Sequence, residues 1–206
     1  MPTPTPIPTV TEVVVQAGHE GRPASCAAFH RHPCNTGAPG ELAWTPIVAD
    51  ETTRVLRAHG VSVARIPADF RESYDADAAV FIHFDGNDKP CSTGASIGYK
   101  QDDVNRAAAD GWRAYYGARF PFKFMPDNFT ANLRKYYGFR QVTSSKGALV
   151  IELGEISCEQ QKTWLATRLI WTGDLLAHYI STLIGKGAVP DPGPYPQPTG
   201  TPKHAQ

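Results

Sequence analysis

The chain has 206 residues, of which 41% are hydrophobic and 19% are charged, and its 20 basic and 20 acidic side chains leave no net charge. This composition predicts one globular domain with a substantial core, and it provides no excess of positive charge for nucleic acid or an anionic membrane surface. No apolar run is long enough to span a bilayer. We therefore expect neither a nucleic-acid partner nor membrane insertion.

Both ends of the chain are rich in proline. Residues 1–8 form a Pro/Thr-rich stretch, and residues 188–206 are Pro-rich, so both are predicted to be extended tails or linkers. This leaves 9–187 as a single ordered domain, which we expect to be a monomer. The first residues lack the basic and apolar regions of a secretory signal, so no signal peptide is predicted.

Strands and helices alternate along this domain. The predicted strands are 11–16, 61–66, 78–84 and 147–153, and the predicted helices are 41–59, 101–117, 132–137 and 159–185. This order predicts an α/β fold, a mostly parallel twisted sheet with helices on both faces. In such sheets, ligands bind beyond the carboxyl ends of the strands.

Four ionisable residues lie where these elements begin or end. His19 follows the first strand between Gly18 and Gly21, which permit a close approach of the backbone to whatever His19 binds. Glu41 opens the first helix, and His83 and Glu152 end apolar strands. Two imidazoles and a carboxylate can hold a catalytic zinc and leave one position for water. A second carboxylate nearby can act as general base. Because a buried polar side chain needs a partner, three of them at equivalent strand ends, together with Glu41, favour a shared site over separate structural roles.

The order and spacing of these motifs resemble the zinc-dependent N-acetylmuramoyl-L-alanine amidases of the amidase-3 family, over about residues 13–183. The matching segments are Gly18-His19-Glu20-Gly21, Gly40-Glu41-Leu42, Phe81-Ile82-His83 and Ile151-Glu152-Leu153-Gly154. The resemblance implies an amidase-3-like fold, one zinc ion per chain held by His19, Glu41 and His83, and Glu152 as the catalytic base. It also implies peptidoglycan, both glycan and stem peptide, as the partner.

Several positions depart from the family's pattern. Gln16 stands where the family usually has Asp, Glu20 replaces a glycine, and Asp85 replaces an Asn. Glu155 and Cys158 replace Phe and Asn after the catalytic position. These departures concern substrate detail more than metal binding, because the four functional positions keep the required chemistry. In an extended strand, residues 152 and 155 face opposite sides, so Glu152 rather than Glu155 fits the role of base.

The four cysteines leave two questions open. An even count permits two disulfides in three possible pairings, or free thiols. A cluster of zinc-ligand residue types also occurs, although with an uncommon spacing: Cys26, His30, His32 and Cys34. We expect a surface loop there, closed or not by a Cys26–Cys34 disulfide, in preference to a second metal site.

The stretch 120–140 is aromatic and basic. It either lines a groove for glycan and peptide carboxylates or packs as a connection with a solvated basic face. The two interpretations stay equally open at this point, and no residue of the stretch is assigned a role.

The resemblance implies hydrolysis of the amide between the lactyl group of N-acetylmuramic acid and L-alanine. Zinc lowers the pKa of its water from ~15.7 toward ~7 and polarises the scissile carbonyl, while Glu152 moves the proton to the leaving amine. The alternatives are a non-catalytic wall-binding module and a zinc peptidase acting on the stem peptide. Arg22 stands three residues after His19, where a His-x-x-Glu peptidase pattern needs Glu.

The expected place of action is the cell wall. A chain without a visible signal peptide suits a phage endolysin that is made in the cytoplasm and released at lysis. A bacterial wall-remodelling amidase shown without its signal is the second possibility. The host, the peptidoglycan type and the preferred stem peptide are left open by the sequence.

Overall fold

One sheet organises the structure, a computed structural model that describes residues 9–23 and 35–196. Its strands are β1 Thr9–Val10, β2 Val13–Ala17, β3 Val63–Ile66, β4 Tyr74–Asp85, β5 Ser96–Tyr99 and β6 Val142–Glu155. The helices are α1 Glu41–Ala58, α2 Asp103–Gly117, α3 Ala131–Arg134, α4 Glu159–Ala166 and α5 Leu169–Leu183, with a 3-10 turn at Tyr137–Arg140. The strand order is β3-β2-β4-β6-β5, and β1 pairs with the start of β4. Only β5 is antiparallel among these strands, which confirms the predicted mostly parallel α/β sheet.

The two faces of the sheet bury different cores. On the first face, α1, α2, α4 and α5 cover strand residues such as Val15, Ile82 and Ile151. The second face buries the alternate residues, such as Phe81 and Val150, under α3, the 3-10 turn and several aromatic rings. Because strand side chains alternate, strands with both faces covered are almost continuously apolar, as seen in β2, β4 and β6.

The predicted single helix over 159–185 is wrong, because the helix is interrupted between α4 and α5. The backbone N–H of Arg168 donates to Leu165 O at 2.8 Å, and its guanidinium donates to Trp164 O at 2.9 Å. The side chain thus takes the carbonyl that a continuous helix would bond to the backbone. The guanidinium also lies over the rings of Trp164 and Tyr195, 4.8 and 4.1 Å from their centroids.

Short or partly polar strands escaped the sequence prediction. Neither β1 nor β5 was predicted, because they have two and four residues and no alternating apolar pattern. β4 and β6 begin earlier than expected, at Tyr74 and Val142. The first residues of both strands mix exposed polar with buried side chains, so they carry no clear apolar signal. The helix predicted at 132–137 is instead the short α3 followed by the 3-10 turn.

The segment 188–196 has neither helix nor strand, yet it packs on α2 and α5. Val189 is buried, Trp171 Nε1 donates to Gly193 O at 3.1 Å, and Tyr115 Oη donates to Asp191 at 3.0 Å. Residues 1–8 and 197–206 lie outside the described part, so the predicted tails and domain limits stay predictions. Within the described part, no helix combines the length and the apolarity needed to cross a membrane.

One disulfide resolves part of the cysteine question. Cys91, in the loop between β4 and β5, is bonded to Cys158 at the start of α4, 67 positions later in the sequence. The bond fixes this loop to the end of β6. Cys26 and Cys34 lie outside the described residues, so their state stays open.

A carboxyl pair between α1 and α5 makes stability depend on pH. Burial raises the pKa of Asp174 to about 6, and the hydrogen bond with Glu51 and its negative charge add to the shift. This folded-state pKa lies above the unfolded value of about 3.9, so Asp174 increasingly destabilises the fold as pH rises through both values.

We expect Asp174→Asn to raise the melting temperature at about pH 7.5 and to leave it nearly unchanged at about pH 4.5. The amide keeps a donor for Glu51 at both pH values, whereas the wild-type carboxyl keeps its proton only at the lower one. Thermal unfolding followed by circular dichroism measures the difference. The same shift at both pH values would contradict the assignment.

Candidate metal centre and active site

Three of the four predicted site residues form one buried cluster at the carboxyl edge of the sheet. Ligand atoms of His19, Glu41 and His83 lie within 4.8 Å of one another. Glu41 Oε1 is 3.3 Å from His19 Nε2 and 2.9 Å from His83 Nδ1. The residues are 8%, 2% and 8% exposed, in that order. Two imidazole nitrogens and one carboxylate oxygen that converge in this way can hold a metal ion.

His19 lies two residues beyond β2, in a turn that reverses toward the cluster. Its φ of 62° is a left-handed conformation that few residues other than glycine adopt. The turn is held by Gly18, whose N–H donates to Ile82 O at 2.8 Å and whose carbonyl accepts from Thr45 Oγ1 of α1 at 2.7 Å. These bonds tie the end of β2 to its neighbouring strand and to the helix that carries Glu41.

Glu41 is the first residue of α1, after Gly40 with φ of 102°. A helix N-terminus favours a carboxylate, and Glu41 also accepts from Ala38 N at 2.9 Å and Phe84 N at 3.1 Å. Burial alone would raise the pKa of Glu41, but hydrogen bonds from His19 and His83 lower it to about 2. Glu41 is therefore an anion in the centre of the cluster.

His83 and Glu152 are side by side on neighbouring parallel strands. The register pairs His83 of β4 with Glu152 of β6, so both side chains leave the same face of the sheet. The strands continue to Asp85 and Glu155, so the two residues lie two and three positions before the strand ends instead of at them. Burial lowers the pKa of His83, although Glu41 opposes the shift.

Glu152 is the fourth predicted residue, and it faces the cleft beside the cluster. Its Oε2 is buried and has no hydrogen-bond partner in the part of the chain that the structure describes. Burial raises the pKa of Glu152 well above its usual range, and the negative charges of Glu41 and Asp85 raise it further. An unpartnered buried carboxyl group of this kind is suited to exchange a proton with a ligand in the cleft.

The cleft above the cluster has a volume of about 540 Å³. Part of the aromatic and basic stretch lines it, as the groove interpretation expected: Phe129, Thr130, Asn132, Leu133, Lys135, Tyr136 and Tyr137. Phe122 and Phe124, earlier in the same stretch, pack against the core of the first face, as the connection interpretation expected. Each interpretation therefore holds for a different half of the stretch.

Two other carboxylates near the motifs have structural partners. Glu20 binds the guanidinium of Arg65 at 2.7 and 3.0 Å. Glu155 is fully buried and accepts from the backbone N–H groups of Cys91 and Thr93 at 2.8 and 2.7 Å. Neither lines the cleft. The preference for Glu152 over these residues agrees with their geometry.

The structure shows a set of hydrogen bonds behind His19 that the sequence did not predict. Asn35 O accepts from His19 Nδ1 at 2.8 Å and from Arg22 Nη1 at 2.5 Å. Arg22 is itself held by Asp69 through bonds of 2.9 and 2.8 Å. A carbonyl acceptor on Nδ1 leaves the Nε2 lone pair free for a metal. Nothing in the sequence indicates this, since the acceptor is a backbone oxygen 16 positions away.

The rival metal cluster, Cys26, His30, His32 and Cys34, lies outside the described residues. The expectation of a surface loop without a second metal therefore stays a prediction.

Several solved structures share this fold at low sequence identity. Ami1, an N-acetylmuramyl-L-alanine amidase from Mycobacterium abscessus, matches with a TM-score of 0.63 at 17% identity, over 85% of this chain and 98% of that one. The catalytic domain of CD27L, an endolysin targeting Clostridium difficile, gives 0.58 at 13% identity over 84% and 97%. Cwp6 from Clostridium difficile gives 0.59 at 19% identity over 86% of this chain, which spans only 29% of Cwp6.

The chain has the fold of the N-acetylmuramoyl-L-alanine amidases. This confirms the amidase-3-like architecture that the motif resemblance implied. No protein-family model and no curated protein matches the sequence. The likeness is therefore one of fold, and the chemistry has to be argued from the residues of this chain.

Two glycines are required by the close packing of the cluster. A Cβ at Gly18 would collide with the His83 imidazole, and a Cβ at Gly37 would collide with Glu41 and His19. The sequence indicated that glycines near His19 permit a close approach, and the structure shows that the group approached by Gly18 is His83.

We expect Gly18→Ala to weaken divalent metal binding by at least about tenfold, because the new methyl group displaces the His83 ring. Elemental analysis after zinc loading and dialysis, on protein shown to be folded by circular dichroism, measures the loss. The control is Gly60→Ala, where φ of 75° strains an alanine but no atom lies within 4 Å of its Cβ. Full metal content in a folded Gly18→Ala protein would show that the ring does not serve as ligand.

Proposed function

We propose that this protein is a zinc-dependent N-acetylmuramoyl-L-alanine amidase that hydrolyses the bond between N-acetylmuramic acid and L-alanine in peptidoglycan. The observation that carries the proposal is the His19–Glu41–His83 cluster with Glu152 beside it in one cleft. The fold shared with amidases supports the same conclusion. The proposed roles are His19, Glu41 and His83 as metal ligands and Glu152 as general base.

The donor set fits zinc. Two imidazoles and one carboxylate form a common catalytic zinc site, with a fourth position left for water or substrate. The low pKa of Glu41 keeps it ionised, and the second ring nitrogens of His19 and His83 are bonded to Asn35 O and Tyr136 Oη. Such outer partners orient histidine ligands in metal sites. One zinc ion per chain is therefore proposed.

Glu152 carries the proton transfers in the proposed reaction. When bound, zinc supplies a Lewis acid that lowers the pKa of water and polarises the scissile carbonyl. Glu152 accepts a proton from the attacking water and delivers it to the leaving nitrogen of L-alanine. The surroundings that raise its pKa make it a stronger base, and no described residue competes for Oε2.

The cleft offers polar groups for the substrate next to this machinery. Thr130, Asn132 and Lys135 line it, and Lys135 has no ion-pair partner among the described residues. An exposed ammonium group there can meet a carboxylate of the stem peptide. These contacts support a peptide-bearing glycan as substrate, with the cell wall as the place of action.

We expect Glu152→Gln to lower the rate of wall hydrolysis by roughly a hundredfold or more while bound zinc stays near the wild-type level. The amide keeps the shape of the side chain but removes the base. Turbidity loss of purified cell walls and elemental analysis on the same samples measure both quantities. The control is Glu72→Gln, an exposed residue before the start of β4 that should behave as wild type. Zinc loss in the Glu152 variant would make it a ligand, and normal lysis would remove it from the mechanism.

Mass spectrometry of the digested wall identifies the bond that is cut. Stem peptides with a free L-alanine amino group and unshortened sequence support the amidase. Shortened stem peptides would support a zinc peptidase instead. Binding to walls without any released product would support a wall-binding module on the same fold.

A further inference from the structure

A polar chain beneath the cleft connects His83 to Tyr136, Gln16 and Tyr137. Gln16 is fully buried and is the one polar residue in the sequence of β2, Val-Val-Val-Gln-Ala. On the second face of the sheet, Tyr136 lies between α3 and the 3-10 turn, and Tyr137 is the first residue of that turn. Gln16 and Tyr137 have no role in the mechanism above, and Tyr136 enters it only as the partner of His83 Nε2. A buried amide in an apolar strand nevertheless requires polar partners.

From His83 to Tyr137, the hydrogen bonds of this chain run in one direction. The backbone N–H of Asp69 donates to Tyr137 Oη at 3.1 Å, and Gln16 Nε2 donates to the same oxygen at 2.5 Å. Gln16 Oε1 accepts the hydroxyl proton of Tyr136 at 2.7 Å. Since Tyr136 has only that proton, its oxygen acts as acceptor toward His83 Nε2, 3.0 Å away. The other nitrogen, Nδ1, faces the carboxylate of Glu41 at 2.9 Å, and a metal bound between them would take the place of that contact.

Packing holds the rings in place around these bonds. The imidazole of His83 is edge-on to the ring of Tyr136, with centroids 5.4 Å apart, and edge-on to His19 at 4.9 Å. Gly18 lies against its remaining side, where even a Cβ has no room. Tyr136 in turn packs on Phe81 at 5.0 Å. The imidazole thus has little freedom to turn.

We propose that Tyr136 and Gln16 are positioning residues that keep the proton of His83 on Nε2 and present Nδ1 to the metal. The inference rests on the proposed function, because it assigns a role only if His83 is a metal ligand. A metal bond from Nδ1 requires a lone pair there, and the tautomer is set by the partner of the other nitrogen. The opposite direction of the chain would place the proton on Nδ1 and oppose metal binding.

The role of Gln16 is specific to its acceptor oxygen. A Gln16→Met variant fills similar volume but leaves the Tyr136 hydroxyl without an acceptor, so that its proton can turn toward His83 Nε2. A Gln16→Glu variant keeps an acceptor at the same place. We therefore expect metal affinity to fall in the Met variant and to be restored in the Glu variant.

The zinc dissociation constant, measured by competition with a chromogenic chelator, tests the inference without using activity. We expect Tyr136→Phe to weaken zinc binding by roughly ten- to a hundredfold, the usual scale for losing an outer partner of a histidine ligand. The control is Tyr116→Phe, which removes a buried tyrosine hydroxyl bonded to Leu153 O at 2.8 Å on the other face. It should leave the zinc dissociation constant unchanged.

Nitrogen-15 spectra of labelled histidine in the zinc-loaded protein give the second readout. The wild type should show His83 with a protonated Nε2 and a metal-bound Nδ1, and Tyr136→Phe should lose this single well-defined state. If the wild type binds zinc and Tyr136→Phe matches it in affinity and spectrum, the inference is overturned and the proposed function stands. If the wild type binds no zinc, the proposed function itself fails and the inference falls with it.

Discussion

The site depends on one buried anion, the carboxylate of Glu41 between two imidazoles. A lone carboxylate at this depth would be strongly unfavourable, so its surroundings must supply charge and hydrogen bonds. The helix N-terminus, two backbone N–H groups and the rings of His19 and His83 do so. This arrangement depends on the first turn of α1, on the left-handed turn at His19 and on the glycines at positions 18 and 37. A divalent cation would complete it by balancing the charge directly.

Much of the fold could be read from the sequence because the signals were local. Long apolar runs identified β2, β4 and β6, and apolar spacing identified α1 and α2. Parallel strands then placed His83 and Glu152 at one edge, since residues at matching register leave the sheet together. Gly18 indicated a close approach of the backbone beside His19, and Gly40 indicated the left-handed turn before Glu41. For these reasons the four proposed site residues could be predicted from the sequence.

The parts that escaped prediction depend on contacts between distant positions. The break at Arg168 requires an acceptor and rings that the guanidinium meets only in the folded chain. Tyr136 is 53 residues from His83 and 120 from Gln16, so no spacing rule connects them. The residues that depart from the family's pattern likewise have structural roles that only the folded chain shows. Glu20 pairs with Arg65, and Glu155 anchors the loop that contains Cys91.

X-ray absorption at the zinc edge of the loaded protein tests the central claim most directly, because it counts the kinds of atom around the metal. The account predicts nitrogen and oxygen neighbours at about 2.0–2.2 Å, with two imidazole rings and no sulfur. If the spectrum of His83→Ala loses the contribution of one imidazole, one of the two rings around the zinc is that of His83. Sulfur neighbours at about 2.3 Å would instead place the zinc on cysteines such as Cys26 and Cys34, and would contradict the His19–Glu41–His83 centre.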